Sequence, residues 1–251
     1  MGVGELFWGL PLTYGQVGLA MLVFCLASAL QGVAGYGSVV ISGPFLVLIE
    51  PRFIPGPVLL CGIVITSLVL LRDGLQVELS RVVQLSLSRA VGSVIGVLLL
   101  MQLSPDGAAA ALAVIMLGGV GAGIAGVKVR PTVKGLALTG FMSGIAGTVA
   151  GLAGAVTALL VQDEQGIKLR GSMAAYLLPG AAVSVILIAL VGRLGEVELK
   201  LFVLLLPSVC IGYGISSRYR HTLDRFISKP MVLSLASFAA LTVLGKFLLK
   251  V

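Results

Sequence analysis

The sequence predicts an all-α integral membrane protein of two inverted repeats, each a broken or re-entrant glycine-rich helix hairpin followed by three transmembrane helices. Three observations predict it. Of 251 residues, 58% are hydrophobic and 11% are charged, whereas soluble domains run near 45–50% and about 25%. The apolar residues fall in blocks long enough for a bilayer, with cations in the short connections between them. The same order of blocks, a long glycine-rich stretch and then three ordinary spans, occurs twice.

Residues 1–16 read as an N-terminal segment. The run MGVGELFWGLPLTYG has no basic n-region and leads straight into apolar sequence, so no cleavable signal peptide is expected. Val17 to Ile49 is the first glycine-rich block. A straight span takes about 20 residues at 1.5 Å each. This block is too long for one span and too short for two, so the chain is expected to break or turn near Ala34-Gly35-Tyr36-Gly37. Pro55 to Leu71, Val82 to Leu103 and Ala108 to Val127 are three ordinary spans, and they close a first repeat over residues 17–127. Leu136 to Val161 is the second glycine-rich block. Gly171 to Gly192, Leu201 to Ile215 and Met231 to Leu249 complete a second repeat over residues 134–250. Together the repeats form one transmembrane domain.

Local matches support a duplication. Arg52 and Arg170 follow the two glycine-rich blocks, and Gly62 and Gly180 fall in the next spans. Val77-Glu78-Leu79 recurs as Val197-Glu198-Leu199, and Gly96 and Gly214 fall one span later. If each block is a hairpin that enters and leaves on one side, each repeat has an odd number of crossings and the second is inverted. One face then carries eleven cations: Arg72, Arg81, Lys128, Arg130, Lys134, Lys168, Arg170, Arg218, Arg220, Arg225 and Lys229. The other carries five: Arg52, Arg193, Lys200, Lys246 and Lys250. The positive-inside rule assigns the first face to the cytoplasm, with the Arg218–Lys229 loop there and both termini outside. The rival, in which each block crosses once, puts the Arg218 cluster opposite Arg72 and Lys128 and loses the charge asymmetry.

The net charge of +7 does not point to nucleic acid, because the cations lie in short connections between spans. Cys25, Cys61 and Cys210 sit inside apolar blocks without paired spacing, so neither a disulfide framework nor a metal motif is expected. An intramembrane enzyme would need a nucleophile with its base, or a metal constellation. The lone His221 lies in a loop and no acidic pair lies in a span, so no enzyme and no cofactor is expected. Gly121-Ala122-Gly123-Ile124-Ala125-Gly126 matches a dinucleotide fingerprint by letters but lacks the preceding strand and the later acid.

The two glycine-rich centres are the candidate site. They read Gln31-Gly32-Val33-Ala34-Gly35-Tyr36-Gly37-Ser38 and Gly147-Thr148-Val149-Ala150-Gly151-Leu152-Ala153-Gly154. Glycine costs a helix about 1 kcal/mol per interior position. Such clusters mark either close helix packing or unwound backbone whose N–H groups bind an anion. Gly92/Gly96, Gly140/Gly144 and Gly147/Gly151 fit the packing spacing, while block length and repetition favour a binding centre. Arg89, inside a span, reads as a fixed positive charge or as a snorkelling side chain near the span's end. Tyr36, Tyr176, Thr66 and Ser184 are further hydroxyls able to reach a substrate or a backbone carbonyl. The spans contain almost no carboxylates, which favours an anionic substrate over a cation.

These residues resemble the TauE/SafE sulfite exporter permeases over nearly the whole chain, from about Val17 to Leu249. The resemblance rests on the run from Gln31 to Pro44 and on the run from Gly140 to Gly154. Ala153 and Ala155 stand where the family commonly has glycine, as does Ser38 after Gly37. The resemblance implies a multi-pass permease of the cell inner membrane that moves sulfite, sulfonates or related anions by alternating access, with export the expected direction. A proton or sodium ion is the expected coupling ion and the lipid bilayer the surroundings. An anion channel, or a permease for small carboxylates, is the alternative. The anion is expected between the two breaks, on backbone N–H groups near Gly35 to Ser38 and Gly151 to Gly154. Gln31 and Thr148 would add polar contacts and Arg89 positive potential.

Overall fold

The computed structural model describes residues 7–226. The expected span Met231–Leu249, together with Lys229, Lys246 and Lys250, lies outside them. The described residues form helices joined by turns, with no strand among them. A short turn at Phe7–Gly9 leads to Leu10 and Leu12, both buried in the core. Thr13 then starts α1 (Tyr14–Ala34) through a capping box with Gln16. This is three residues before the apolar block begins, because the cap sets the start. The break at Gly35–Gly37 separates α1 from α2 (Ser38–Ile49). A 3-10 turn at Pro51–Phe53 leads to α3 (Gly56–Asp73), which Gly74 closes. Then follow α4 (Leu79–Gln102), α5 (Pro105–Ile124) and α6 (Val133–Ala150), the last capped by Thr132. A second break leads to α7 (Ala153–Thr157), α8 (Gly166–Leu190) and α9 (Glu196–Phe226).

Six helical segments among the described residues are long and apolar enough to cross a membrane. Their outer faces carry large apolar side chains, including Leu22 and Leu26 on α1, Leu87 and Val91 on α4, and Ile186 and Leu190 on α8. Water would penalise such a belt and lipid does not. The protein is a multi-pass membrane protein. One expectation is corrected here: Arg218 to Phe226 is not a loop but the continuation of α9, with a kink at Tyr219. No glycine or proline lies between Gly214 and Lys229 to stop the helix, and charged residues continue a helix readily once it leaves the apolar layer.

Helix pairing is set by small residues, as lipid requires when apolar burial supplies no drive between helices. α4 and α6 run parallel: Gly140 packs on Leu85 and Ser88, Gly144 on Arg89 and Ser93, and Gly96 on Ile145 and Thr148. A Cβ on Gly92 would collide with the Phe141 carbonyl. α1 and α9 run parallel in the same way, with Gly212 on Cys25 and Ser28, and Gly32 on Ser216. α3 lies against α8 between these pairs. Exchanging α1 with α6, α2 with α7, α3 with α8 and α4 with α9 turns the first pairing into the second. It also turns the α3–α9 contact into the α8–α4 contact.

Candidate functional site

Both glycine-rich centres end their first helix at a glycine in the left-handed region, Gly35 (φ 81°) and Gly151 (φ 72°), and the first centre has a second such glycine, Gly37 (φ 104°). A side chain there would be strained. The breaks come together: the Gly154 Cα faces Tyr36, and Gly151 packs on Val39 and Val58. Between them lies a cavity of about 50 Å³, room for a few waters or a compact ion. Tyr36, Gly37 and the first turn of α2 form one wall, and Gly151 to Ala155 form the facing one. Gln31 of α1, Val58, Leu59, Gly62 and Thr66 of α3, Leu177 and Ala181 of α8, and Arg89 of α4 complete the lining.

Gln31 ties the first break together. Its Nε2 donates to Thr66 Oγ1 at 3.3 Å, and its Oε1 accepts from the Ser38 N–H at 3.3 Å. In the other half Thr148 Oγ1 and Ser184 Oγ lie 2.9 Å apart, bridging α6 to α8 as Gln31 bridges α1 to α3.

Arg89 is 1% exposed, so it does not snorkel. Its Nη1 donates to the Tyr176 and Leu177 carbonyls at 3.3 and 3.0 Å. Both carbonyls lie in the turn before Pro179, which has no N–H and so leaves the neighbouring Ala175 carbonyl without its ladder donor. Nε has no partner, and Nη2 lies toward Gly147. No carboxylate pairs with Arg89 among the described residues. A guanidinium stays charged in proteins, and a buried charge without a counter-charge is costly. The arrangement therefore presents uncompensated positive charge at the cavity wall.

A sequence profile described as Sulfite exporter TauE/SafE matches residues 20–243. The chain belongs to the sulfite exporter TauE/SafE family. No curated protein and no solved structure matches it.

In this TauE/SafE chain the structure gathers most of the residues singled out from sequence. Gln31, Tyr36, Gly37, Ser38, Arg89, Gly151 and Gly154 line the cavity. Gly32, Gly35, Gly147 and Thr148 do not. Gly32 faces Ser216, Gly35 backs onto Arg170, Gly147 packs on Ala153, and Thr148 is bonded to Ser184. Four of the expected backbone donors are engaged within the breaks themselves. The N–H groups of Gly35, Gly151 and Leu152 turn back to Gln31, Gly147 and Ala146, and that of Ser38 goes to Gln31 Oε1. The first i→i−4 bond of α2 is from Ile41 to Gly37, so the Val39 and Val40 N–H groups precede the ladder at the cavity edge. Val58, Leu177 and Ala181 carry no sequence signal distinguishing them from lipid-facing residues.

Proposed function

We propose that this protein is a secondary transporter that moves a small sulfur-containing anion, sulfite or a short sulfonate, by alternating access. The substrate would sit in the cavity between the breaks. Arg89 carries the reading: a buried guanidinium, with an unpaired Nε and no carboxylate partner among the described residues, faces a cavity bordered by both breaks. A desolvated anion must exchange its water bonds for fixed donors, and charge-assisted bonds to guanidinium are the stronger kind. The site also has room for only a compact ligand in this conformation.

The inverted repeat supplies the alternation. In support, the helix contacts map onto themselves when the halves are exchanged. α1 begins at the end of the bundle where Gly9 neighbours Lys200, whereas α6 begins near the end where Lys128 pairs with Asp163. Equivalent helices thus point in opposite directions, and the breaks meet between them. The cation-rich end, with Arg72, Lys128 and Arg170, is the cytoplasmic one on this reading. The direction of flux and a coupling proton or sodium ion follow from the transporter reading and need flux measurements.

Calorimetric titration of sulfite and of a short sulfonate into purified protein tests the site. Arg89→Gln is expected to weaken binding by roughly tenfold or more, since a hydrogen bond to a charged group contributes about 1.5–3 kcal/mol. Wild-type affinity in a folded Arg89→Gln variant would remove Arg89 from the site. Gly154→Val, which fills the gap beside Tyr36, should also abolish binding.

A further inference from the structure

Asp73 ends α3 and is almost wholly buried. Its Oδ2 accepts from Arg72 Nη2 at 2.8 Å and from Arg170 Nε at 2.7 Å, and its Oδ1 accepts from Arg72 Nε at 3.0 Å. The two guanidiniums also hold the end of α1. Arg72 Nη2 donates to the Gly32 carbonyl at 2.7 Å, and Arg170 Nη1 to that of Val33 at 3.4 Å. Arg72 Nη1 reaches Ser217 Oγ on α9 at 3.0 Å. One carboxylate thus joins α1, α3, α8 and α9 where α1 breaks. Gly32 and Val33 directly follow Gln31, whose side chain lines the cavity.

The opposite end is closed differently. The offset that pairs Gly62 with Gly180 also pairs Gly74 (φ 74°) with Gly192 (φ 73°). At that offset Asp73 corresponds to Val191, and Arg170 to Arg52. Arg52 gives its side-chain bonds to Glu50, two residues away, not to α8. The layer between the cavity and that end is apolar: Leu59 with Val97, Leu100, Ala108 and Ile188.

We infer that Asp73 is an ionic latch: paired with Arg170 it keeps the cavity closed at the Arg72 end, and parting from Arg170 opens it. A buried ion pair pulled apart without water is strongly penalised, whereas water entering an open end solvates both charges. The latch is therefore stable closed and dry or open and wet, and unfavourable between. Parting the apolar layer at the other end separates no buried ion pair like Asp73–Arg170; the charged contact there is Arg193 Nη2 donating to the Leu103 carbonyl at 2.6 Å. The resting conformation is closed at the Asp73 end, and the release of Gly32 and Val33 couples opening to Gln31. The latch rests on the cavity being the transport site, but its test needs no substrate.

Ala155→Cys, at the cavity wall, in a background lacking Cys25, Cys61 and Cys210, reports access. An impermeant thiol reagent is applied to vesicles from the face carrying Arg72 and Arg170, without added anion. Arg170→Gln breaks the contact across the halves and leaves Asp73 paired with Arg72, so no carboxylate is left bare. It should raise the labelling rate on the order of tenfold, in the range of ordinary coupling energies. Asp73→Asn should do the same, and the exchanged pair Asp73→Arg with Arg170→Asp should return the rate toward wild type. A wild-type rate in Arg170→Gln overturns the latch whatever the other variants do. Failure of sulfite binding would instead overturn the transport reading and leave the labelling result intact.

Discussion

Gly180 on α8 leaves the space that Arg89 occupies: a Cβ at Gly180 would fall on the Arg89 Cδ and Nε. The glycine admits the guanidinium stem to the middle of the bundle, where the Tyr176 and Leu177 carbonyls of α8 accept from it. Gly180→Ala should therefore act on the anion site through Arg89. It is expected to cost about 1–3 kcal/mol of stability by overpacking and to weaken sulfite binding in the same direction as Arg89→Gln. Gly214→Ala is the control, since nothing lies within 4 Å of its Cβ position. Thermal unfolding in detergent and calorimetry on both variants read the difference.

Gln31 is expected to be a positioning residue as much as a contact. Gln31→Leu removes the acceptor of the Ser38 N–H and the donor to Thr66. Leaving buried polar groups unsatisfied costs about 1–3 kcal/mol. Thr66→Val leaves the Ser38 bond intact and should cost less. Ordering of the first turn of α2, followed by amide hydrogen exchange at Val39 and Val40, should loosen in Gln31→Leu and hold in Thr66→Val.

The membrane class and the helix breaks were legible because both depend on local sequence. Apolar block length reports bilayer thickness, and Gly35 and Gly151 satisfy a backbone need that few residues meet. Arg89 was legible as a residue but not in its setting. Snorkelling and burial differ by the partner helix, and Gly180 and Pro179 lie about ninety residues away. Half of the expected backbone donors could not be discounted from sequence, because caps return the Gly35, Gly151 and Leu152 N–H groups to the preceding helix and Gln31 takes that of Ser38. The Asp73 cluster was hidden for the same reason as Arg89: in sequence, Arg72-Asp73 reads as an ordinary charged span end. Only the fold brings Arg170 to it.

The close pairing of α4 with α6 should be the mechanical spine of the second break. Gly144→Ala places a Cβ against the Arg89 carbonyl and the Ser93 N. Those are backbone atoms, so the helices must separate instead of a side chain moving aside. A loss of about 1–3 kcal/mol is expected. Gly118→Ala on α5, with nothing within 4 Å, should be silent. Unfolding midpoints in one detergent compare the two directly.

Topology is the broadest prediction. Asp163, exposed between α7 and α8, pairs with Lys128 at the cation-rich end. Gly195, exposed between α8 and α9, lies beside Leu194, which packs on Gly56 at the other end. The charge asymmetry assigns the first end to the cytoplasm, and α8 crosses between them. In a background lacking the native cysteines, an impermeant thiol reagent on intact cells should label Gly195→Cys and not Asp163→Cys. Permeabilised cells should label both. Labelling of Asp163→Cys alone would invert the orientation. Labelling of both in intact cells would mean that α8 does not cross, and the inverted-repeat reading would fall with it. The measurement needs no knowledge of the anion, and so separates the architecture from the transport chemistry proposed on top of it.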